Sequence, residues 1–225
     1  MQKRCWKSMD GRYGMYNSVL LADIGNSYFH IYDGSSVEHL SYEEAISKYS
    51  KVRLCYISVK QQLDSTIEEI ATWKNISSQM KLEGAYETMG VDRQALCHSH
   101  DDGVFVDAGS AITVDVMDNG TYIGGFIYPG LKAMIDTYST ISPALVTQLN
   151  KTISMERLPT TTKDGISYGI IASIKALIDK HSEGKKLYFT GGDGALLSTF
   201  FKEAIYDEML VFDGMRKVIK ETEIC

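Results

Sequence analysis

The segment Asp23-Ile24-Gly25-Asn26-Ser27 combines a carboxylate, a glycine and two small polar side chains in five residues. Gly25 leaves room for a ligand to approach the backbone without a Cβ in the way. Asn26 and Ser27 offer amide and hydroxyl donors to phosphate oxygens. Asp23 would repel phosphate directly, but it suits a hydrated Mg²⁺, which takes few carboxylates and keeps several waters. An ordinary tight turn would use the same residue types. A second segment, Asp107-Ala-Gly109-Ser110-Ala-Ile-Thr113, repeats these features. Thr190-Gly191-Gly192-Asp193 lies between a strand and a helix start, where outward amides suit a nucleotide's base or ribose. In Gly90-Val91-Asp92-Arg93, Asp92 can take a proton from a hydroxyl and Arg93 can orient an anion. A plain ion pair is the alternative there.

Other chemistries have no matching pattern. No Gly-x-x-x-x-Gly-Lys-Ser/Thr loop occurs, and Gly192-Asp-Gly194 fails the dinucleotide fingerprint at its third glycine. No Gly-x-Ser-x-Gly elbow is present. Cys97-His98-Ser-His100-Asp101-Asp102 fits neither a zinc ribbon nor His-Glu-x-x-His, and reads as a polar helix end.

The elements that position these residues follow from periodicity. Ser18–Ala22 and Tyr28–Tyr32 read as strands, the second running to the hairpin signal Asp33-Gly34. Tyr42–Tyr49 reads as a helix and Val52–Ser58 as a strand. Leu63, Ile67, Ile70 and Trp73 mark one helix face. A short helix at Gln94–His98 precedes strands at Val104–Ala108, Ile112–Met117 and Thr121–Tyr128. In the last of these, Gly124-Gly125 calls for a bend or a close neighbour. Leu131 to Tyr138 and Ile166 to Ile178 are helical. Leu187–Phe189 is a buried strand with a helix behind it, and Met209–Phe212 and Met215–Lys220 read as strand and helix. The stretch from Leu20 echoes that from Val104: strand, Asp-x-Gly, small polar residue, strand, Asx-Gly turn. The echo implies two similar lobes facing across a cleft.

The 225 residues suffice for one large domain or two small ones. Hydrophobic residues at 44% and charged residues at 23% are ordinary globular values. The net charge of −6 argues against a phosphate-backbone partner, so no nucleic acid is expected. No apolar run approaches the about 18 residues of a membrane span. The four cysteines are scattered without a Cys-x-x-Cys pair, as in a reduced, cytoplasmic protein. The basic N-terminus lacks the apolar core of a leader, and Met9 and Met15 leave other starts open. The expected organisation is an extension at 1–17, a first lobe at 18–101 and a second at 102–225.

Taken in order, these segments resemble the type III pantothenate kinases, of the actin/sugar-kinase/Hsp70 superfamily of duplicated ATPase lobes. Asp23-Ile-Gly-Asn-Ser stands where the family has Asp-x-Gly-Asn-Thr, and Gly90-Val-Asp92-Arg93 matches Gly-x-Asp-Arg, with Tyr86 upstream. Asp107-Ala-Gly-Ser-Ala-Ile-Thr loosely matches Asp-Phe-Gly-Thr-Ala-Thr-Thr, and Gly124-Gly-Phe-Ile-Tyr-Pro-Gly130 matches Gly-Gly-x-Ile-x-Pro-Gly. Thr162-Lys-Asp-Gly-Ile-Ser-Tyr-Gly169 and Thr190-Gly-Gly192 complete the series.

The resemblance implies an α/β fold of two ribonuclease-H-like, actin-like lobes, mixed sheets flanked by helices, facing an ATP cleft. It implies phosphorylation of pantothenate by ATP, the first step of coenzyme A synthesis. Asp23, Ile24, Gly25, Asn26, Ser27, Tyr28 and Ser110 would contact ATP, with Mg²⁺ held by Asp23 through water. Asp92 would be the base, and Tyr86, Gly90, Val91, Asp92 and Arg93 would hold pantothenate. Thr162 would contribute across a homodimer interface, and Asp107 would bind a monovalent cation, K⁺ or NH₄⁺. Serines replace two threonines of the phosphate motifs, at Ser27 and Ser110, and keep the hydroxyl. Ala108 and Ile112 also depart from the pattern, beside the cation residue. Some relatives are described as accessory regulators of transcription, so a binding protein is the other reading, as is another small-molecule kinase of the superfamily.

Overall fold

Strand β1 (Leu20–Ile24) is the centre of one sheet and β6 (Gly103–Ala108) the centre of another, in a computed structural model that describes residues 19–25, 28–59 and 65–223. Each central strand pairs antiparallel with the strand that follows it, β2 (Phe29–Tyr32) or β7 (Ala111–Asp118). Each of these pairs antiparallel with a third, β3 (Val37–Leu40) or β8 (Thr121–Pro129). On the other side of the centre lie parallel strands: β4 (Leu54–Ser58) and β5 (Trp73–Asn75) in the first sheet, β9 (Leu187–Thr190) and β10 (Ile205–Tyr206) in the second. The two five-stranded orders, β3-β2-β1-β4-β5 and β8-β7-β6-β9-β10, are therefore the same plan used twice. The repeated Asp-x-Gly signal marks the end of the central strand in both.

In the first unit, alternate residues Ala22, Ile24, Phe29, Ile31, Leu54 and Tyr56 meet Ala45 of α1 (Tyr42–Tyr49), Ile67 of α2 (Ser65–Glu68) and Trp73. Helix α1 starts on a capping box in which Ser41 and Glu44 satisfy each other's backbone amides. In the second unit, Val104, Val106, Ala108, Ile112 and Val114 pack against α4 (Leu131–Ile141) and α5 (Thr162–His181), through Leu131, Ile166, Ile170 and Ile174. Behind β9 comes the short α6 (Gly194–Ser198).

Three local readings differ from the structure. The face Leu63, Ile67, Ile70, Trp73 does not form one helix: α2 is four residues long, and Leu63 lies outside the described residues. Trp73 instead opens β5 opposite Leu54, its indole Nε1 donating to Tyr49 O at 3.0 Å and its ring tilted onto Phe29. Ring burial and sheet pairing override the short helical period. Met209–Phe212 is not a strand, because Leu210–Thr222 is one continuous helix, α7. Its buried Val211, Phe212, Met215, Val218 and Ile219 fall on one helical face. The residues from Met209 cluster with those up to His100, whereas the expected boundaries carry the second lobe to the chain end.

Helix α7 packs on α3 (Val91–His98), and the contact is closest at Gly214. A Cβ there would overlap the carbonyl of Ala95 and crowd His98 Cβ at 3.2 Å. Gly214 is thus the cost of close approach rather than a helix breaker. Gly214→Ala is expected to destabilise the protein by about 1–3 kcal/mol through overpacking. Urea denaturation checks this, and an unchanged midpoint would contradict the packing.

Candidate active site

The first segment of interest ends β1. Asp23 stands opposite His30 on one side and Ile57 on the other. Ile24 is fully buried in the core, so only its backbone faces the turn; its carbonyl accepts from Val59 N at 3.3 Å. Gly25 N donates to Tyr28 O at 3.1 Å, and Gly25 O accepts from the Tyr42 hydroxyl at 2.7 Å. The turn is thereby tied to α1. Among the described residues, a Cβ on Gly25 would meet Tyr28 O at 3.4 Å. Tyr28 is exposed, and Asn26 and Ser27 lie outside the described residues.

The Gly-x-Asp-Arg segment opens α3. Gly90 is the N-cap, and the Asp92 carboxylate folds back over the helix start, where Oδ1 accepts from Arg93 N at 2.8 Å. A side chain on Gly90 would overlap that same oxygen. Val91 is the first helical residue and is half-buried. Arg93 is buried; its Nη1 donates to the Tyr86 hydroxyl at 2.6 Å, and its guanidinium lies 5.8 Å from that ring's centre. Met89 N donates to Tyr86 O at 3.0 Å and closes the loop. Tyr86, Gly90, Asp92 and Arg93 thus form one local group: an exposed ring, a buried cation and a carboxylate at a helix N-terminus.

In the second unit the chemistry gathers at the end of β6. Asp107 is flanked in register by Thr113 of β7 and Thr190 of β9. Thr113 Oγ1 is buried without a hydrogen-bond partner among the described residues. Gly191, at φ +84°, sits directly on this row: a Cβ would overlap Asp107 Oδ1 and Ala108 O. Asp193 N donates to Ala108 O at 2.9 Å. The turn itself is closed by Gly109 N donating to Ala111 O at 2.9 Å, and Gly130, the N-cap of α4, donates to Ser110 O at 3.0 Å. Ser110 is exposed on this turn. The carboxylate and hydroxyls around Asp107 are hard oxygen donors, which suit an alkali ion rather than a soft metal.

Thr162 is exposed in the first turn of α5. That helix start is well tied. Thr161 Oγ1 accepts from Asp164 N at 3.1 Å, and Asp164 Oδ1 accepts from Asn150 Nδ2 at 2.8 Å. Hydrogen bonds from Asn150 and then Thr161 lower the Asp164 pKa.

Sequence reasoning did not assign Gly191 to Asp107, nor Gly130 to Ser110. The signal was present, since paired glycines ahead of a helix mark close approach, but which strand they approach depends on sheet order. Gly124-Gly125 resolves similarly. A Cβ on Gly125 would overlap the fully buried Asp115 carboxylate, and Gly124 lies at the bulge opposite Val116 and Met117.

Comparison with known proteins agrees with this geometry. The family model for type III pantothenate kinase matches residues 41–183. The chain is 40% identical over 203 residues to a type III pantothenate kinase of Campylobacter jejuni (strain RM1221), covering 90% of this chain and 97% of the relative. It is 41% identical over 206 residues to that of Helicobacter hepaticus, covering 90% and 99%. A crystal structure from Campylobacter jejuni described as a Baf family transcriptional activator superposes with a TM-score of 0.84 at 38% identity, over 92% of this chain and 100% of that one. An activator of 2-hydroxyisocaproyl-CoA dehydratase from Clostridium difficile, with bound ADPNP, shares the fold at a TM-score of 0.50 and 11% identity, over 92% and 98%. That likeness is one of fold alone, two mixed five-stranded sheets flanked by helices. With its motifs in order and its full-length relatives alike, the chain belongs to the type III pantothenate kinase family.

Proposed function

We propose that this protein transfers the γ-phosphoryl group of ATP to the primary hydroxyl of pantothenate, giving 4'-phosphopantothenate for coenzyme A synthesis. The observation that carries the reading is the Asp92 carboxylate held at the N-terminus of α3 beside Tyr86 and buried Arg93, in a chain of this family.

In this reading Asp92 accepts the hydroxyl proton and aims the oxygen, while Tyr86, Gly90, Val91 and Arg93 hold the acceptor, with Arg93 facing its carboxylate. Asp23 carries Mg²⁺ through water, and Ile24, Gly25, Asn26, Ser27, Tyr28 and Ser110 line the nucleotide. Asp107, with Thr113 and Thr190 beside it, holds the monovalent cation. When bound, the two cations supply charge neutralisation to the transferring phosphoryl group. No covalent intermediate is needed, and positioning does most of the work.

We assign a homodimer in which Thr162 reaches the partner's acceptor site. Exposed Ile123, Ile127, Ile141, Val146 and Leu158 in the second unit support an apolar interface. Four cysteines scattered without a Cys-x-x-Cys pair support a reducing compartment, the cytoplasm. The description of the Campylobacter jejuni structure as a transcriptional activator keeps a second reading in view. The net charge of −6 speaks against direct DNA contact.

Asp92→Asn is expected to keep pantothenate binding and lower kcat by about 10²–10⁴-fold. An ADP-release assay and calorimetry check this; near-normal turnover removes Asp92 from its role. No ADP release from the wild type with pantothenate would favour the regulator. Activity is expected to rise with K⁺ or NH₄⁺ but not Li⁺, and Asp107→Asn to abolish that dependence and the K⁺-induced rise in Tm. Sedimentation velocity is expected to show a dimer.

A further inference from the structure

The first unit carries a histidine pair that the kinase reading does not use. His30 and His39 are nine residues apart in sequence and directly opposite one another across β2 and β3. The hairpin turn fixes that register. Asp33 Oδ1 accepts from Ser35 N at 2.8 Å and Ser36 N at 2.9 Å, and Tyr32's hydroxyl donates to Gly34 O at 2.9 Å. The two Nδ1 atoms are 2.6 Å apart, and the rings stand nearly perpendicular, at 77°, with centres 4.8 Å apart. One ring's Nδ1–H thus points at the other ring's Nδ1, the donor being set by the tautomers.

A metal ion can take the place of that proton. Zn–N bonds of about 2.0–2.1 Å in tetrahedral geometry put two ligand nitrogens roughly 3.3 Å apart. From the observed 2.6 Å the rings would separate by roughly 0.7 Å and turn so that both nitrogens face the ion. Imidazole nitrogen selects Zn²⁺, Ni²⁺ or Cu²⁺ over Mg²⁺ or Ca²⁺. We propose that His30 and His39 form a two-imidazole site for a first-row transition cation, chemically separate from the oxygen donors around Asp107. Among the described residues no group of three or more His, Cys, Asp or Glu side chains gathers to hold a metal, and in this proposal the remaining positions would be taken by water. Such a chelate bridges β3, the edge strand of its sheet, to β2.

The test uses the untagged full chain and Ni²⁺ alone, without nucleotide, followed by calorimetry and thermal unfolding. Wild type is expected to bind Ni²⁺ saturably and to gain Tm. His39 is exposed, and His39→Ala is expected to weaken binding by at least about tenfold, with no gain in Tm. If His39→Ala loses its fold, His39→Gln replaces it. A His98→Gln/His100→Gln variant is expected to bind as wild type does. Equal binding by wild type and a folded His39 variant would overturn the proposal. So would loss of binding in the His98/His100 variant, or no saturable binding by the wild type, in which case the pair is a hydrogen bond between two tautomers.

Discussion

The close approach of α7 to α3 at Gly214 is the contact on which the placement of α3 depends. Helix α3 is only eight residues long, too short to hold itself together in water. It carries Asp92 in its first turn and Arg93 immediately after. Its orientation must therefore come from packing, and α7 supplies that through Ala95 and His98. The ring stack of Phe212 on Tyr32 in turn fixes α7 to β2. A residue at the end of the chain thus governs the aim of a carboxylate more than a hundred positions earlier.

The two Asp-x-Gly turns share a place in the sheet plan. At Asp107 three segments close on one strand end: Gly109–Ala111, Gly130 and Gly191–Asp193. Substituents on Gly130 or Gly191 would strike backbone, which has little freedom to yield. At Asp23, among the described residues, Gly25 N donates to Tyr28 O and the Tyr42 hydroxyl ties Gly25 O to α1. Tight closure around a carboxylate and two threonines is the kind of packing that would preorganise the oxygen site proposed at Asp107.

Much of this was legible because strand alternation and Asx-Gly turns are local signals. The echo between Leu20 and Val104 foretold the shared sheet order, since identical turn chemistry at matching points imposes the same hairpin. What escaped was long-range. Trp73 looked like a helix-face residue, and only Tyr49, Phe29 and Tyr56 around its ring make it a strand opener. Met209–Phe212 and Met215–Lys220 read as strand and helix rather than one helix, because the helix that Gly214 must pass lies far upstream in sequence. The Gly-x-Asp-Arg group was legible as chemistry, but Arg93's engagement of Tyr86 required the loop through Met89 to close.

The place of Asp92 bears on how it would serve the proposed reaction. Its carboxylate lies over the start of α3 and accepts from Arg93 N. Phosphoryl transfer through a loose transition state does not ask for a strong base, because the acceptor oxygen carries little negative charge until bond formation is advanced. In that proposal a carboxylate fixed at a helix start would serve by orienting the hydroxyl, and would take the proton late. Gly90 then matters because the space it leaves empty is the space the carboxylate occupies when it is aimed.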